Sequence, residues 1–191
     1  TSTTSTTPPT TSTETPTTIS PDGSTNATVP PTPPIVGMDA FHLGHRHLES
    51  IGQVHRKGAH HTFDAWGYVA TLRRIVKQGP EETVYVPRFD RSIEDSIAAA
   101  VPIDHSDRLV LTEGNYLLLD IPPWNQLRDL LSLTVYLDLE EEVRLDRLIK
   151  RHVEFGKTHE HAVRHVNESD QINAHLIAGS RHHADYVVPF E

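Results

Sequence analysis

The 191-residue sequence contains no cysteine, which excludes disulfide frameworks, thiolate metal sites and cysteine nucleophiles. Long apolar runs are also missing. The longest reach a handful of residues, far short of the roughly 20 that a membrane-spanning helix needs, and no signal peptide is visible. Basic residues are scarce, 17 Lys and Arg against 26 Asp and Glu, which leaves a net charge of −9. A field of that sign repels phosphate backbones and anionic bilayers, so neither nucleic acid nor a membrane surface is an expected partner. The length suits one ordinary domain and is too short for two.

What is present divides into two unlike parts. Residues 1 to 34 hold 14 Thr, 5 Ser and 8 Pro, no Lys or Arg, and only Ile19, Ala27 and Val29 as aliphatic content. Such a segment buries too little apolar surface to offset the entropy of ordering it, and is expected to be disordered. Its composition also suits an O-glycosylated stalk, and Asn26-Ala27-Thr28 is formally an N-glycosylation acceptor. From residue 35 to 191 apolar and charged residues alternate with the periodicity of a folded domain.

In that part the run Ile35 to Met38 ends at Asp39, and Thr62 or Asp64 can cap a helix striped by Ala65, Val69, Leu72 and Val76. Thr83 to Val86 reads as a strand stopped by Pro87, and Leu109 to Thr112 as one ending at Glu113-Gly114. A short helix carries Trp124, Leu127, Leu130 and Leu131, and Leu133 to Leu137 reads as a buried strand. Glu140 to Phe155 is a helix, acidic first and basic later as the macrodipole favours. Another helix follows Thr158, and Tyr186 to Val188 is a last strand. Short apolar strands alternating with helices indicate an α/β fold, a parallel sheet with helices on both faces. Ligand crevices in such sheets lie at the strand C-termini, where Asp39 and Glu113 fall.

Three constellations could carry chemistry. Asp39 and Glu113, delivered by separate strand ends, could hold Mg²⁺ and accept a hydroxyl proton, although a carboxylate after a strand is also an ordinary cap. Arg144, Arg147 and Arg151 share one helix face, with Lys157 just beyond. They could clamp a polyphosphate, or simply form a solvated face paired with Glu140 to Glu142 and Asp146. Arg56-Lys57 and Phe89-Asp90-Arg91 sit at loop positions that suit an anionic or polyhydroxylated ligand, and equally suit bare surface.

Taken in order, M-D-A-F-H, R-K-G-A-H-H-T-F-D, V-P-R-F-D-R, L-T-E-G-N-Y-L-L-L-D, R-L-I-K-R-H-V-E-F-G-K and H-A-D-Y-V-V-P resemble the family that includes uridine kinase, phosphoribulokinase and type I pantothenate kinase, in its nucleoside-kinase-like or fructokinase-like branch. The resemblance implies a P-loop fold and ATP-dependent, Mg²⁺-assisted phosphorylation of a small hydroxylated acceptor by a cytoplasmic enzyme, with a second copy of the chain as a partner. Asp39 would be the general base or hydroxyl anchor, and Glu113 would bind Mg²⁺ directly or through water. Arg147, Arg151 and Lys157 would form a lid over the phosphates of ATP, Arg151 acting in catalysis. His42, Lys57, Arg91 and Asn115 would line the acceptor pocket.

The departure lies at the start, where the family carries a strand, a G-x-x-x-x-G-K-S/T loop and a helix. Here the Thr/Pro segment stands in that place, with Gly23-Ser24-Thr25 the nearest echo. The domain is therefore expected to lack its first strand and P-loop, to expose the edges of neighbouring strands, and to turn ATP over weakly or not at all. The alternative is a non-catalytic descendant that binds a metabolite or partner. A third reading starts from histidine, 14 in all, with His42, His45, His47, His55, His60 and His61 in one 20-residue span. That spacing matches no familiar Zn²⁺ pattern, and exposed histidines are the expectation.

Overall fold

The computed structural model describes residues 32–190. The segment expected to be disordered, with its glycosylation motif and Gly23-Ser24-Thr25, lies outside the described residues except for 32–34, which belong to no helix or strand. Strand β1 (Ile35–Gly37) runs into a 3₁₀ turn, Met38–Phe41, followed by helices α1 (His45–Ser50) and α2 (Ala65–Val76). A hairpin, β2 (Thr83–Asp90) and β3 (Asp95–Asp104), precedes β4 (Leu111–Glu113), a 3₁₀ helix at Trp124–Asp129 and β5 (Val135–Asp138). Helices α3 (Glu141–Glu154), α4 (His159–His165) and α5 (Gln171–Gly179) follow, α4 and α5 joined by a π-helical turn at Val166–Asp170, and β6 (Tyr186–Pro189) comes last.

The architecture is α/β, but its strands form three two-stranded sheets rather than one. β1 pairs with β4 and β5 with β6, both parallel, whereas β2 and β3 are antiparallel. The two parallel pairs follow the expected parallel arrangement, and the antiparallel hairpin is an addition to it. Its tight turn is local chemistry: the Asp90 carboxylate accepts hydrogen bonds from the Ser92 backbone N–H (2.9 Å) and hydroxyl (2.6 Å). Pro87 also does not end the strand. It has no N–H to give to the ladder, and the register shifts between Val86 and Arg88 to pass it, with Ala99 on β3 in the left-handed region at φ 52°.

The core is assembled from β1, the 3₁₀ turn, α2, β2 and the segment after β4. Met38, Tyr68, Val84, Ile103, Tyr116, Trp124 and Leu127 are all fully buried in it. α2 enters this core as its stripe predicts: Asp64 caps it by accepting from the Gly67 N–H at 2.8 Å, and Ala65, Tyr68, Val69 and Leu72 face inward. β5 and β6 are not the buried strands expected. Leu137 is 61% and Tyr186 61% exposed, and among the described residues each strand keeps one unpaired edge.

A candidate active-site cleft

β1 and β4 pair in a register that sets Gly37 directly beside Glu113. The glycine is sterically required there, because a Cβ on it would lie 2.6 Å from Glu113 Oε1. Gly114 next to it has the same origin: a Cβ would stand 2.5 Å from that of the buried Met38. Two residues along from Gly37, Asp39 projects from the 3₁₀ turn, which Met38, Ala40 and Phe41 anchor in the core. Behind this pair of strand ends, Tyr68 Oη and Thr112 Oγ1 are hydrogen-bonded, and Thr112 donates to the Val36 carbonyl at 2.8 Å, tying α2 to both strands. Asp39 and Glu113 thereby line one cleft of about 390 Å³.

The electrostatics of the cleft follow from that convergence. Desolvation first, and the Asp39 charge second, hold the Glu113 carboxyl above its ordinary range, with Arg91 opposing them. Arg91 extends from the hairpin turn to place Nη2 3.6 Å from Asp39 Oδ2. Its guanidinium and the Lys57 ammonium lie 5.8 and 5.7 Å from the centre of the Phe89 ring, and Lys57 Nζ donates to the Glu94 carbonyl at 3.1 Å. The loop that carries Lys57 is fixed from below by Tyr116, whose hydroxyl donates to the Gly58 carbonyl at 2.6 Å. Burial pushes the Tyr116 phenol up to about 12.

His42 packs between Phe63 and Phe89, with ring centroids 4.0 and 5.6 Å away. Its Nδ1–H donates to the Asp39 carbonyl at 2.8 Å, since a carbonyl can only accept, and Nε2 keeps its lone pair. Burial lowers its proton affinity, partly offset by that hydrogen bond and by the Asp39 charge. Asn115 is exposed in the turn after β4.

Arg88 also lines the cleft, and sequence reasoning missed it. On a regular strand it continues the inward phase of Val84 and Val86. Past the irregularity at Pro87 it is Phe89 that packs against the core, and Arg88 is exposed. A proline inside V-P-R-F-D-R was the available signal.

Arg147, Arg151 and Lys157 are placed elsewhere. None lines the cleft. The Arg147 guanidinium lies 5.8 Å from the Phe190 ring centre, Arg151 is exposed, and Lys157 Nζ sits 3.0 Å from His152 Nδ1. Leu145, Leu148 and Ile149, whose spacing predicts a stripe buried against the sheet, are only half-buried, because α3 packs chiefly against α4 and the π-turn. Arg144 leaves the expected cationic row to hydrogen-bond Gln171 and pair with Glu141 at 3.7 Å.

Two carboxylates on one cleft, one of them disfavoured in its charged form by desolvation and then by the other's charge, are donors of the type a hard divalent cation takes, so Asp39 and Glu113 could hold Mg²⁺. Arg88 and Arg91 add positive charge on the same cleft, suited to an anionic reactant. The 191 residues contain no G-x-x-x-x-G-K-S/T sequence.

No known family's sequence model matches the chain. A candidate uridine kinase of Schizosaccharomyces pombe is 32% identical over 145 residues, 73% of this chain and 61% of that protein. An ATP-dependent kinase-like protein of Aspergillus versicolor is 29% identical over 160 residues, 80% of this chain and 93% of that protein. The chain thus spans about three fifths of the first relative and nearly all of the second. The crystal structure of a candidate fructose transport system kinase from Silicibacter superposes with a TM-score of 0.74 at 35% identity, covering 81% of this chain and 74% of that one. With those relatives, and with strand ends that carry Asp39 and Glu113 to one cleft, the chain belongs to the P-loop small-molecule kinase family that includes uridine kinase.

Proposed function

We propose that the cleft between β1, β4 and the hairpin is the acceptor site of an ATP-dependent phosphotransferase that works in the cytoplasm on a hydroxyl of a small metabolite, of nucleoside, sugar or pantothenate-like chemistry. The observation that supports this best is the delivery of Asp39 and Glu113 to one cleft by two strands in register. Asp39 would accept the proton of the attacking hydroxyl, with Arg91 holding its carboxylate in place. Glu113 and Asp39 would hold Mg²⁺, which when bound spreads the charge of the transferring phosphoryl group. His42, neutral with Nε2 free, Lys57, Arg91 and Asn115 would orient the acceptor, and Arg88 would add a guanidinium to its anionic side. Arg147, Arg151 and Lys157 enter this reading as lid residues, acting over the phosphates rather than in the cleft itself.

The test is ADP release with Mg²⁺-ATP against a panel of nucleosides, sugars and pantothenate, alongside acceptor-dependent thermal stabilisation. Asp39→Asn is expected to lower turnover by about 10²- to 10⁴-fold, the usual worth of a general base, while the acceptor still stabilises the fold. Turnover unchanged by that substitution would remove Asp39 from the mechanism.

A second reading is that these 191 residues, which contain no G-x-x-x-x-G-K-S/T sequence, bind the acceptor and transfer phosphate poorly or not at all. A preorganised donor of the kind that loop supplies is worth about 3 kcal/mol, or 10²-fold or more in rate. Stabilisation by an acceptor without ADP release would support it, and robust release by the purified chain would rule it out.

A further inference from the structure

We propose that His152, His165 and Asp170 form a binding site for a divalent transition-metal ion, Zn²⁺ foremost, on the helical face formed by α3, α4 and the π-turn, apart from the phosphotransfer cleft. One donor comes from each element, and the ligating atoms all lie within 4.8 Å of one another. His152 Nε2 is 2.8 Å from Asp170 Oδ2 and His165 Nε2 is 3.9 Å from Asp170 Oδ1. The two imidazoles meet edge to face with centroids 4.8 Å apart. Tetrahedral bonds of about 2.0–2.2 Å set ligand atoms roughly 3.4 Å apart, so shifts of about half an ångström to one ångström close the three donors on one ion. Two imidazole nitrogens, a carboxylate and one open position for water make a donor set that Zn²⁺ takes readily.

The backbone is shaped for this convergence. On a regular α-helix, residues five apart stand about 140° apart around the axis, which would turn His165 and Asp170 to different faces. The π-turn at Val166–Asp170 closes i to i+5 instead, bringing residues five apart onto the same side. Both then face His152 on α3. The side chains are shielded without being sealed: His152, His165 and Asp170 are 16%, 33% and 22% exposed. The histidine-rich span of residues 42 to 61 offers nothing comparable, since no group of three ligating residues converges there among the described residues.

Lys157 sharpens the proposal. Its ammonium points at His152 Nδ1 from 3.0 Å, which makes Nδ1 the acceptor and leaves the ring proton on Nε2, bonded to Asp170. Metal at Nε2 requires that proton to move to Nδ1, where an ammonium cannot accept it, and the two positive charges also repel. Lys157 must therefore turn away when metal binds. Replacing it by glutamine, whose carbonyl accepts from Nδ1–H, supplies the outer partner that metal-bound imidazoles commonly have.

The experiment is titration of the metal-free 191-residue protein with Co²⁺, read by its visible absorption, and with Zn²⁺ in competition with a chromophoric chelator. We expect one equivalent with the intense visible bands of tetrahedral Co²⁺, displaced by Zn²⁺. His165→Gln and Asp170→Asn are each expected to weaken Zn²⁺ binding by about 10²-fold or more, and Lys157→Gln to tighten it. Circular dichroism of each variant checks the fold. Should a variant misfold, the parent's Co²⁺ spectrum still decides, because exposed histidines give weak octahedral bands. An octahedral spectrum, or affinity unmoved by both ligand substitutions, overturns the site.

Discussion

Residues 33–131 and 132–190 are held together by different forces. Of the twenty buried apolar residues among those described, eighteen lie in the first region and two, Ala162 and Val166, in the second. Leu176 and Ile177 rest on the core of the first region, and the rest of the second is joined largely by polar contacts, among them Arg181–Asp138 and Thr134–Asp185 at 2.8 Å, His152–Asp170 and the Arg144–Gln171–Glu141 chain. Apolar burial tolerates little change of shape, whereas partly exposed ion pairs contribute little each and rearrange readily. The candidate cleft is thus built on the rigid half, and the arginine-bearing helices belong to the half whose local opening is expected to cost less.

The strongest way to break this comparison is at the aromatic centre. Trp124 is 1% exposed and meets Phe63, Tyr68 and Tyr116 with ring centroids about 6 Å away. Trp124→Ala is expected to cost about 3–5 kcal/mol in denaturant unfolding, and Leu137→Ala on exposed β5 within about 0.5 kcal/mol. Equal losses would mean that both halves share one core.

Gly37→Ala comes next. Its Cβ would meet Glu113 Oε1 at 2.6 Å, forcing the carboxylate or the strand pair to move at about 1–3 kcal/mol. Stabilisation of the fold by added Mg²⁺ should disappear with it. If thermal unfolding shows stability and Mg²⁺ response both intact, Glu113 has room to move and the register is not what positions it.

The sequence made α2 legible because cap, stripe and stop agree: Asp64, then Ala65, Val69 and Leu72, then Gly79-Pro80. Asp39 and Glu113 were legible because each ends an apolar run. β3 was not, since Ala98-Ala99-Ala100 and Pro102 carry low strand propensity and the strand exists through its pairing with β2. α1 is only six residues long and lacks a side-chain cap, leaving no periodic signal. The cluster at His152, His165 and Asp170 was hidden for a related reason: helical periodicity assumes 3.6 residues per turn, and the π-turn breaks that count. The arginines of α3 were read from one face of one helix, and what that face meets depends on packing that a single helix does not encode.

A smaller effect compares the two regions at like positions. Asp64 caps α2 at 2.8 Å, and Thr158 caps α4 with a longer contact of 3.3 Å from the His161 N–H. Asp64→Ala is expected to cost about 1 kcal/mol and Thr158→Ala about half that or less, measured by chemical denaturation. A larger loss at Thr158 would show α4 to be more tightly coupled to the core than its exposed surroundings suggest.

The smallest effect carries a sign that separates electrostatics from packing. Glu113 binds its proton more tightly in the folded chain than its ordinary value of 4.5. The protonated form is the one the fold favours, so its contribution is fully present below pH 4.5 and is lost as pH rises through the raised folded value. At pH 7 the ionised carboxylate, facing Asp39, is a cost, one that solvent screening keeps modest because the side chain is exposed. Glu113→Gln removes the charge with little change of shape. The variant is therefore expected to melt slightly above the parent at pH 7, with the gap closing as pH falls below 4.5, and Mg²⁺ should raise the melting temperature of the parent while leaving the variant unmoved. A variant that melts lower at pH 7 and is indifferent to pH would mean that Glu113 serves the β1–β4 junction as a structural hydrogen-bonding group rather than as the charged wall of a cation site.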